Sequence, residues 1–421
     1  MFDLRLTAEQ LEFRDTVRDF VEHEVKAAAL NPARLEPFEK PLLTEVLDKA
    51  SRIGLRTLAL SEGAGGAGAD QLTSCIVMEE LAAGDVDVAS ALALTSQLAH
   101  MLFDELMTSE QQKRFLPEFL EDNRYHLALS HHDPDSTSGW HYHRPTLDAS
   151  DGGATAVKQG NGDWLLNGSI PFVPNAPVAK LFAIDVRTHT DKTGRDVVTT
   201  LLVPRDTKGF AVNEPLKAIG GRSVSGAATT RWHHGTGAAV TFNDCRIPAA
   251  NVLGREGLSA LANAAHSARS ATQTAAVNLG LGRAAFETAV DYAKIRIQGG
   301  RRIIEHQAIG TLLADLTIQL ELARNIVWKA AWTSEHPEAV ADRSVAELPL
   351  HTIARVYTAE AVNKVALGAA ECFGAMGVMR DMPLQKYVHD SFVFLHAADN
   401  DSATKLKIAE AVAGYERPLA A

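Results

Sequence analysis

The segment R-I-Q-G-G-R-R-I-I-E-H-Q, residues 296–307, joins two long stretches of helical periodicity and decides how the chain is interpreted. Before it, residues 275–295 are rich in Ala and Leu. After it, apolar residues recur at helical spacing, namely Ile309, Leu312, Leu313, Leu316, Leu320, Ala323, Val327 and Ala330. Adjacent glycines let the backbone approach another molecule, and three arginines offer planar forks suited to phosphate. Taken alone, the segment more often indicates a basic surface turn, because it lacks a phosphate-binding glycine fingerprint.

Composition limits the classes of function. The chain has 421 residues, of which 46% are hydrophobic and 22% are charged, as in an ordinary globular protein. Its formal net charge of −11 argues against binding to nucleic acid or to anionic membranes. Cys75, Cys245 and Cys372 lie far apart, so we expect reduced thiols in a cytoplasmic protein. No N-terminal stretch resembles a signal peptide, and we expect no apolar run of transmembrane length.

The periodicity changes twice along the chain. Residues 1–125 have helical spacing, and Thr7 with Gln10 fits a capping box. Residues 126–250 consist of short apolar runs separated by Gly, Asn, Asp and Pro, which is typical of strands. Residues 251–421 return to helical spacing. We therefore predict a mainly α protein with a central β domain, in the order N-terminal helical domain, middle antiparallel β domain and C-terminal helical domain.

A glycine-rich loop, L-S-E-G-A-G-G-A-G-A-D at residues 60–70, precedes a predicted helix that begins at Gln71. It lacks the Lys-Ser/Thr pair of a P-loop and the strict spacing of a dinucleotide fingerprint. We predict a structural bend there and no phosphate cradle.

Several separated motifs resemble the acyl-CoA dehydrogenase family. They are R-x-x-x-G-x-x-x-x-E-H-Q-A-I from 296, L-L-A-D-L at 312–316, M-E-E-L-A at 78–82, S-E-Q-Q-K-R-F-L-P at 109–117 and F-N-D-C-R-I-P-A-A-N-V-L-G at 242–254. The resemblance implies an acyl-CoA dehydrogenase-like fold in which the C-terminal domain, residues 251–421, is a four-helix bundle. It also implies bound FAD, an acyl-CoA or related thioester substrate, and homo-oligomers, usually tetramers of paired dimers. Oxygen or an electron-transfer partner would take the electrons.

The resemblance also implies four stretches that contact the flavin. The first two, matched without a gap, contribute His131, His132, Ser138, Phe172, Val173 and Pro174. The other two contribute Arg296, His306, Gln307, Glu371, Gly374 and Ala375. Pro174 departs from the family pattern, because proline has neither the hydroxyl that usually bonds near the reactive flavin nitrogen nor an N–H.

The catalytic base is the sharpest departure from the family. Its usual glutamate corresponds to Ala398, and the alternative site of some members corresponds to Ser270. Three interpretations stay open. In the first, a one-residue shift makes Asp399 or Asp401 the base. In the second, His131, His132 or His396 is the base. In the third, the protein performs oxygen-using flavin chemistry instead of simple desaturation. The missing glutamate and the missing hydroxyl favour the oxygenase slightly.

Two further features are unusual. The histidines at 131, 132, 141 and 143 form a cluster, but their spacing matches no established ligand pattern, so we predict no metal site. The segment R-W-H-H-G-T-G at 231–237 resembles an inserted loop that either shapes the substrate pocket or is a surface excursion.

Overall fold

The structure is a computed structural model that describes residues 5–31, 42–131, 153–190, 196–213, 237–262, 264–340, 348–379, 381–395 and 402–414. The chain divides into two compact units. The helical unit comprises Met1–Val46, Ala69–Ala93 and Ser267–Arg417. The sheet unit comprises Leu47–Gly68, Leu94–His266 and Pro418–Ala421. The three-domain boundaries drawn from the sequence stay a prediction.

Helices occupy both ends of the described chain. The α-helices are α1 (Ala8–Phe20), α2 (Lys26–Ala29), α3 (Thr44–Arg52), α4 (Gln71–Ala82), α5 (Val86–Ala99), α6 (Ser109–Glu121), α7 (Ala264–Ile295), α8 (Gln307–Glu335), α9 (Leu350–Phe373), α10 (Leu384–Leu395) and α11 (Ser402–Ala413). Val21–Val25 and His100–Leu106 are wound as π-helix. Short 3₁₀ turns lie at Leu55–Thr57, Glu62–Ala64, Ala249–Asn251, Ile303–Glu305, Pro337–Val340 and Gly374–Val378.

Helix α1 begins where the sequence indicates. The Thr7 hydroxyl accepts the Gln10 N–H, and the Gln10 side chain accepts the Thr7 N–H, each over 3.1 Å. This capping box satisfies two of the donors that a helix N-terminus leaves open. Val17, Val21 and Val25 are buried along one stripe, which confirms the predicted amphipathic helix.

The sheet unit contains an eight-stranded sheet. Its strands are β1 (His126–Ser130), β2 (Thr155–Lys158), β3 (Trp164–Pro174), β4 (Ala179–Thr190), β5 (Asp196–Pro204), β6 (Phe210–Val212), β7 (Gly237–Ile247) and β8 (Val252–Leu253). They lie in the order β6-β7-β3-β2-β4-β5-β8, and β1 also pairs with β4. Most pairs are antiparallel, but β1 and β2 run parallel to β4. The prediction of an antiparallel domain therefore holds for most of the sheet, including the β4–β5 pair, and is wrong for the β1–β4 and β2–β4 pairs.

Strand β4 is buried on both faces. Leu181 and Ala183 pack with Phe103 and other residues of the helical layer beside the sheet. Phe182 and Ile184 point to the other face, where they join the cluster that contains Trp164. Because neighbouring residues of a strand point to opposite faces, this run L-F-A-I is apolar throughout instead of alternating.

The helical unit depends on a close approach between α4 and α7. A Cβ atom added at Gly280 would lie 2.2 Å from the Glu79 carbonyl oxygen, so only glycine fits there. The charged layer beside it is buried. Arg283 bonds Glu80 at 2.7 Å, and Arg324 bonds Glu79 at 2.9 Å. Burial opposes ionisation of Glu80, but Arg18 and Arg283 prevail and hold its pKa below the usual value.

The glycine loop folds onto its own backbone. The N–H groups of Gly66 and Gly68 donate to the Ser61 and Leu60 carbonyl oxygens over 3.0 Å and 2.8 Å. A Cβ atom at Gly66 would lie 2.1 Å from the Leu60 oxygen. The loop is thus a compact bend, as predicted.

One described helical stretch, Val86–Leu106, is long and apolar enough on composition to cross a membrane. This corrects the expectation that no run reaches that length. Of its most apolar window, 83% is buried inside the protein, as in the core helix of a globular protein.

Candidate functional site

The link between α7 and α8 is a cationic β-hairpin. Strands β9 (Ile297–Gln298) and β10 (Arg301–Arg302) pair antiparallel and expose both arginines. Gly299 and Gly300 turn the hairpin with φ angles of +62° and +82°, which L side chains rarely adopt. A Cβ atom at Gly300 would meet nothing within 4 Å. The tip therefore leaves exposed backbone beside two guanidinium groups.

Two backbone contacts fix this hairpin against the start of α8. The Ile303 N–H donates to the Arg296 carbonyl oxygen over 2.9 Å, and His306 Nε2–H donates to the Gln298 carbonyl oxygen over 2.9 Å. His306 precedes the helix without a side-chain cap, and Gln307 is its first residue. The first turn of α8 carries no acid, so its partial positive charge adds to that of the arginines.

The end of α9 belongs to the same unit. The ring of Phe373 stacks on Tyr292, with ring centroids 3.9 Å apart, and the Cys372 thiol approaches the Ala289 carbonyl oxygen at 3.8 Å. The Tyr292 carbonyl oxygen in turn accepts the Arg296 N–H over 2.9 Å. The structure thus links two of the four predicted flavin stretches inside the helical unit.

Three predicted residues lie at this end of α9. Glu371 is exposed in its last turn, and Gly374 ends the helix with a φ angle of +58°. Ala375 follows in an exposed 3₁₀ turn. The exposed carboxylate of Glu371 places an anion at this end of α9.

In the sheet unit, the end of β3 presents an aromatic face. Phe172 is 39% exposed, whereas Val173 is completely buried. A Cβ atom at Gly237 of β7 would lie 2.1 Å from the Phe172 ring, so glycine is required for the ring to lie there. Pro174 pairs with Gly237 in the ladder and ends the strand without an N–H or a hydroxyl.

The turn after Pro174 is held by a buried polar chain. Asn175 has a φ angle of +61° and donates from Nδ2 to the Thr95 hydroxyl and the Leu127 carbonyl oxygen, each over 3.2 Å. Thr95 also bonds His126 Nδ1 at 3.2 Å. Burial, with a contribution from the Arg56 charge, lowers the pKa of His126 to about 3, so this imidazole stays neutral.

A second polar cluster surrounds Asp185 on β4. His131 Nδ1 lies 2.7 Å from Asp185 Oδ2, and the hydroxyls of Thr200 and Ser259 each donate to the carboxylate over 2.5 Å. The Asp185 side chain is fully buried, whereas that of His131 is 34% exposed. Sequence reasoning missed Asp185, Thr200 and Ser259. The available signal was an aspartate inside the apolar strand run L-F-A-I-D-V.

Of the remaining predicted residues, the structure describes Ser270. Ser270 is half-buried on α7 and supplies no carboxylate. Among the described residues, no group of three or more His, Cys, Asp and Glu could hold a metal ion. His132, Ser138, His396, Asp399 and Asp401 lie outside the described residues, as do Ala398, His141, His143 and residues 231–236.

These features fit FAD, each within its own unit. Arginine forks, open glycine backbone and a helix N-terminus match the anionic diphosphate. The exposed Phe172 ring over Gly237 matches a flat aromatic ring system.

Family profiles match most of the chain. Those described as the acyl-CoA dehydrogenase N-terminal, middle and C-terminal domains match residues 7–123, 146–231 and 255–412. An acyl-CoA dehydrogenase of Bacillus subtilis (strain 168) is 29% identical over 391 residues, which cover 93% of this chain and 94% of that protein.

Solved structures have the same fold. Butyryl-CoA dehydrogenase from Megasphaera elsdenii superposes with a TM-score of 0.81 at 24% identity, covering 98% of this chain and 100% of that one. PigA with FAD and proline gives 0.79 at 21% identity, with coverage of 98% and 99%. The prolyl acyl carrier protein oxidase AnaB gives 0.76 at 22% identity, with coverage of 97% and 100%. The chain belongs to the acyl-CoA dehydrogenase superfamily and is an FAD-dependent oxidoreductase.

Proposed function

We propose that this enzyme oxidises an acyl-CoA thioester at a non-standard active site and that molecular oxygen takes part in the reaction. The observation that carries the proposal is the end of β3, where Pro174 follows the exposed Phe172 ring. Asn175 anchors the turn beyond it through Thr95 and Leu127. The backbone is therefore fixed at a point that offers no hydroxyl and no N–H.

Loss of that donor changes what the protein can do for the flavin. A protein tunes a bound flavin through hydrogen bonds to its ring nitrogens and through shielding from solvent. With proline at residue 174, the position that supplies a hydroxyl in the family would offer the flavin neither a hydroxyl nor an N–H. This supports chemistry that differs from that of ordinary family members.

The position of Ser270 supports the same conclusion. Some family members carry their glutamate there, and a serine hydroxyl cannot act as a carboxylate base near neutral pH. The other glutamate position is alanine in the sequence. A different group must therefore move the substrate proton.

The described residues have defined tasks in this proposal. Bound FAD supplies two-electron acceptance from the substrate and reaction with oxygen. In the helical unit, the hairpin arginines and the α8 N-terminus would hold the diphosphate. In the sheet unit, Phe172 would cover a ring face, and the Asn175–Thr95–His126 chain anchors that strand end.

The balance of the reaction separates two outcomes. If one CH₂ group becomes a carbonyl, one O₂ is consumed and one water forms, and the product carries an oxygen atom from O₂. If a CH–CH bond becomes C=C, the two hydrogens pass to O₂ as hydrogen peroxide or to an electron-transfer partner. AnaB is named as an oxidase of a prolyl carrier protein, so a carrier-protein thioester is a related substrate class to include.

The test is anaerobic mixing of the yellow holoenzyme with a panel of acyl-CoA thioesters, followed by admission of ¹⁸O₂. Flavin absorbance reports substrate oxidation, and mass spectrometry reports the product. We expect product that appears only with oxygen and carries the label. Anaerobic bleaching with an unlabelled enoyl-CoA product would instead establish a dehydrogenase, for which an aspartate or a histidine is the candidate base. No response to any thioester would refute the CoA assignment.

We also propose that the enzyme is a homotetramer and is located in the cytoplasm. The helical unit exposes Ile295, Ile297, Ile318 and Leu322, which suits contact with further copies in a homotetramer. The three cysteines are free and buried, which suits a cytoplasmic enzyme. Light scattering of the holoenzyme and fractionation of cells test these two statements.

A further inference from the structure

We propose that a cavity beside the β2–β3 hairpin binds a small zwitterion, a free α-amino acid with an apolar side chain. The cavity measures about 430 Å³, a volume typical of small-molecule sites in proteins. Its walls come from β2, the start of β3, the end of β4 and the loop after β8, all in the sheet unit. The inference does not depend on the proposed thioester chemistry.

The cavity lies where two strands of the sheet diverge. Strand β2 runs parallel to β4 and pairs with it through Thr155 and Arg187. Beyond this pair, β2 continues along β3 as far as the Lys158–Trp164 pair, while β4 continues along β5 past His189. The diverging ends of β2 and β4 form two opposite walls of the cavity.

Hydrogen bonds to residues behind the cavity hold two of its walls. The Gly257 N–H donates to the Thr199 hydroxyl over 2.9 Å. The Thr188 hydroxyl donates to the Val197 carbonyl oxygen over 3.0 Å. Because these bonds form without a ligand, the walls are ordered beforehand, which lowers the entropic cost of binding.

Opposite charges lie together at the edge of the cavity. Lys158 Nζ donates to Glu256 Oε2 over 2.5 Å, and the two side chains are 48% and 49% exposed. Water and salt screen such a half-exposed ion pair, so a ligand can separate the two charges at small cost. A zwitterion then pairs with both side chains, whereas a singly charged ligand leaves one of them without its counterion.

The rest of the lining is largely apolar. Ala156 and Trp164 are buried at its base, and Lys158 Nζ lies 5.6 Å from the centre of the Trp164 ring. Val157 also lines the cavity and is 62% exposed, so it leaves apolar surface that a ligand side chain can cover. An α-amino acid with an apolar side chain therefore matches both the charged edge and the apolar lining.

The cavity lies at the opposite end of β3 from the exposed Phe172 ring. Strand β3 begins at Trp164 and ends at Pro174. Because a strand rises about 3.3 Å per residue, Trp164 and Phe172 lie about 26 Å apart along it. Binding of an amino acid is therefore expected to leave the predicted flavin contacts of this unit unoccupied.

The experiment is isothermal titration calorimetry of the FAD-loaded enzyme with a panel of apolar α-amino acids. The tightest binder is then compared with its N-acetyl derivative, which lacks the ammonium group, and with its amide, which lacks the carboxylate. We expect saturable binding of the amino acid. Each derivative should bind about tenfold more weakly, as for the loss of one charge-assisted hydrogen bond.

Variants of the ion pair assign each ligand charge to its partner. Lys158→Gln should weaken binding of the amino acid about tenfold and abolish its advantage over the amide. Glu256→Gln should weaken binding equally and abolish the advantage over the N-acetyl derivative. Lys180→Gln is the matched control, because Lys180 forms a partly exposed ion pair with Asp122 outside the cavity and should leave Kd unchanged.

Three results would overturn the inference. They are no binding of any apolar amino acid to the wild type, derivatives that bind as tightly as the parent amino acid, and an equal loss of affinity in the Lys158 and Lys180 variants. Thioester oxidation by the same preparations is measured separately, so failure of the proposed function and failure of this inference are distinguishable.

Discussion

At the scale of single residues, Pro174 distinguishes the proposed chemistry from that of ordinary relatives. We predict that Pro174→Thr, which adds a hydroxyl and an N–H, shifts product away from oxygen insertion. Pro174→Val is the matched control, since valine has the shape of threonine and adds the N–H alone. We expect the fraction of ¹⁸O-labelled product to fall several-fold more in the threonine variant than in the valine variant, because one hydrogen bond contributes about 1 kcal/mol.

Labelled product measured under single turnover gives this partition directly. Equal fractions in the two variants would show that the missing hydroxyl has no role. Flavin content must match the wild type in both variants, because Gly237 packs directly opposite this residue.

His126 predicts a pH dependence of stability. Burial lowers its folded-state pKa from 6.5 to about 3, so folding favours the neutral ring. Its contribution is complete above about pH 6.5 and is lost as the pH falls towards about 3, because the unfolded chain then binds the extra proton. Between these pH values, the free energy of unfolding should fall by about 1.4 kcal/mol for each pH unit.

Denaturant unfolding of wild type and His126→Gln, at intervals from about pH 8 to about pH 4, measures this contribution. At the upper end the histidine is neutral in both states, so the difference there is the packing cost alone. As the pH falls, the free energies of unfolding of the two proteins should approach each other by about 1.4 kcal/mol per pH unit. A difference that stays constant with pH would contradict the assignment.

Residue chemistry could be predicted from sequence only where local pattern reveals it. The capping pair Thr7 and Gln10 was predicted because its members lie three residues apart. Asp185 was not, because its partners His131 and Ser259 are 54 and 74 residues away. Only the fold brings these side chains together.

At the scale of elements, the α4–α7 contact depends on the absence of one methyl group. We predict that Gly280→Ala destabilises the protein by about 2 kcal/mol, because the new Cβ atom would overlap the Glu79 carbonyl oxygen. Gly310→Ala in α8 is the control, since a Cβ atom there meets nothing within 4 Å. It should stabilise by about 0.5–1 kcal/mol through helix propensity.

The free energy of unfolding from urea titration, monitored by circular dichroism, measures both changes. An equal effect of the two substitutions would show that helix propensity, and not the close approach, dominates at Gly280.

Elements with strong periodicity were predicted well. Helices α7 and α8 lie on either side of the 296–307 link, as predicted, whereas the two short strands and the 3₁₀ turn within the link were not predicted. The π-helical turns at Val21–Val25 and His100–Leu106 were not predicted, because their apolar spacing resembles that of an α-helix. The parallel pairing of β1 with β4 joins distant segments and leaves no local signal.

At the scale of the whole molecule, cofactor binding and stability are linked. A ligand that binds only the folded state stabilises it by about 2.7 kcal/mol at 100 times its Kd. We predict that Arg296→Gln weakens FAD binding by about 10–100-fold, as expected for one charge-assisted hydrogen bond, and reduces this stabilisation. Lys294→Gln removes a nearby exposed cation that pairs with Asp291, and should change neither quantity.

Titration of apoprotein with FAD, followed by flavin fluorescence and by thermal unfolding, measures affinity and stabilisation together. Equal losses in both variants would indicate general electrostatic attraction instead of a specific contact at Arg296.

The buried charges of the helical unit also constrain its synthesis. The partners Arg283 and Arg324 follow Glu80 and Glu79 by 203 and 245 residues. At about 5–20 residues per second, the ribosome takes about 10–40 s to supply the first of these arginines. During that interval α1 can already pack on α4, because the Arg18 guanidinium bonds Glu80 and the Gln10 side chain bonds Thr73. The pairing of the α4 acids is therefore completed only after most of the sheet unit has been synthesised.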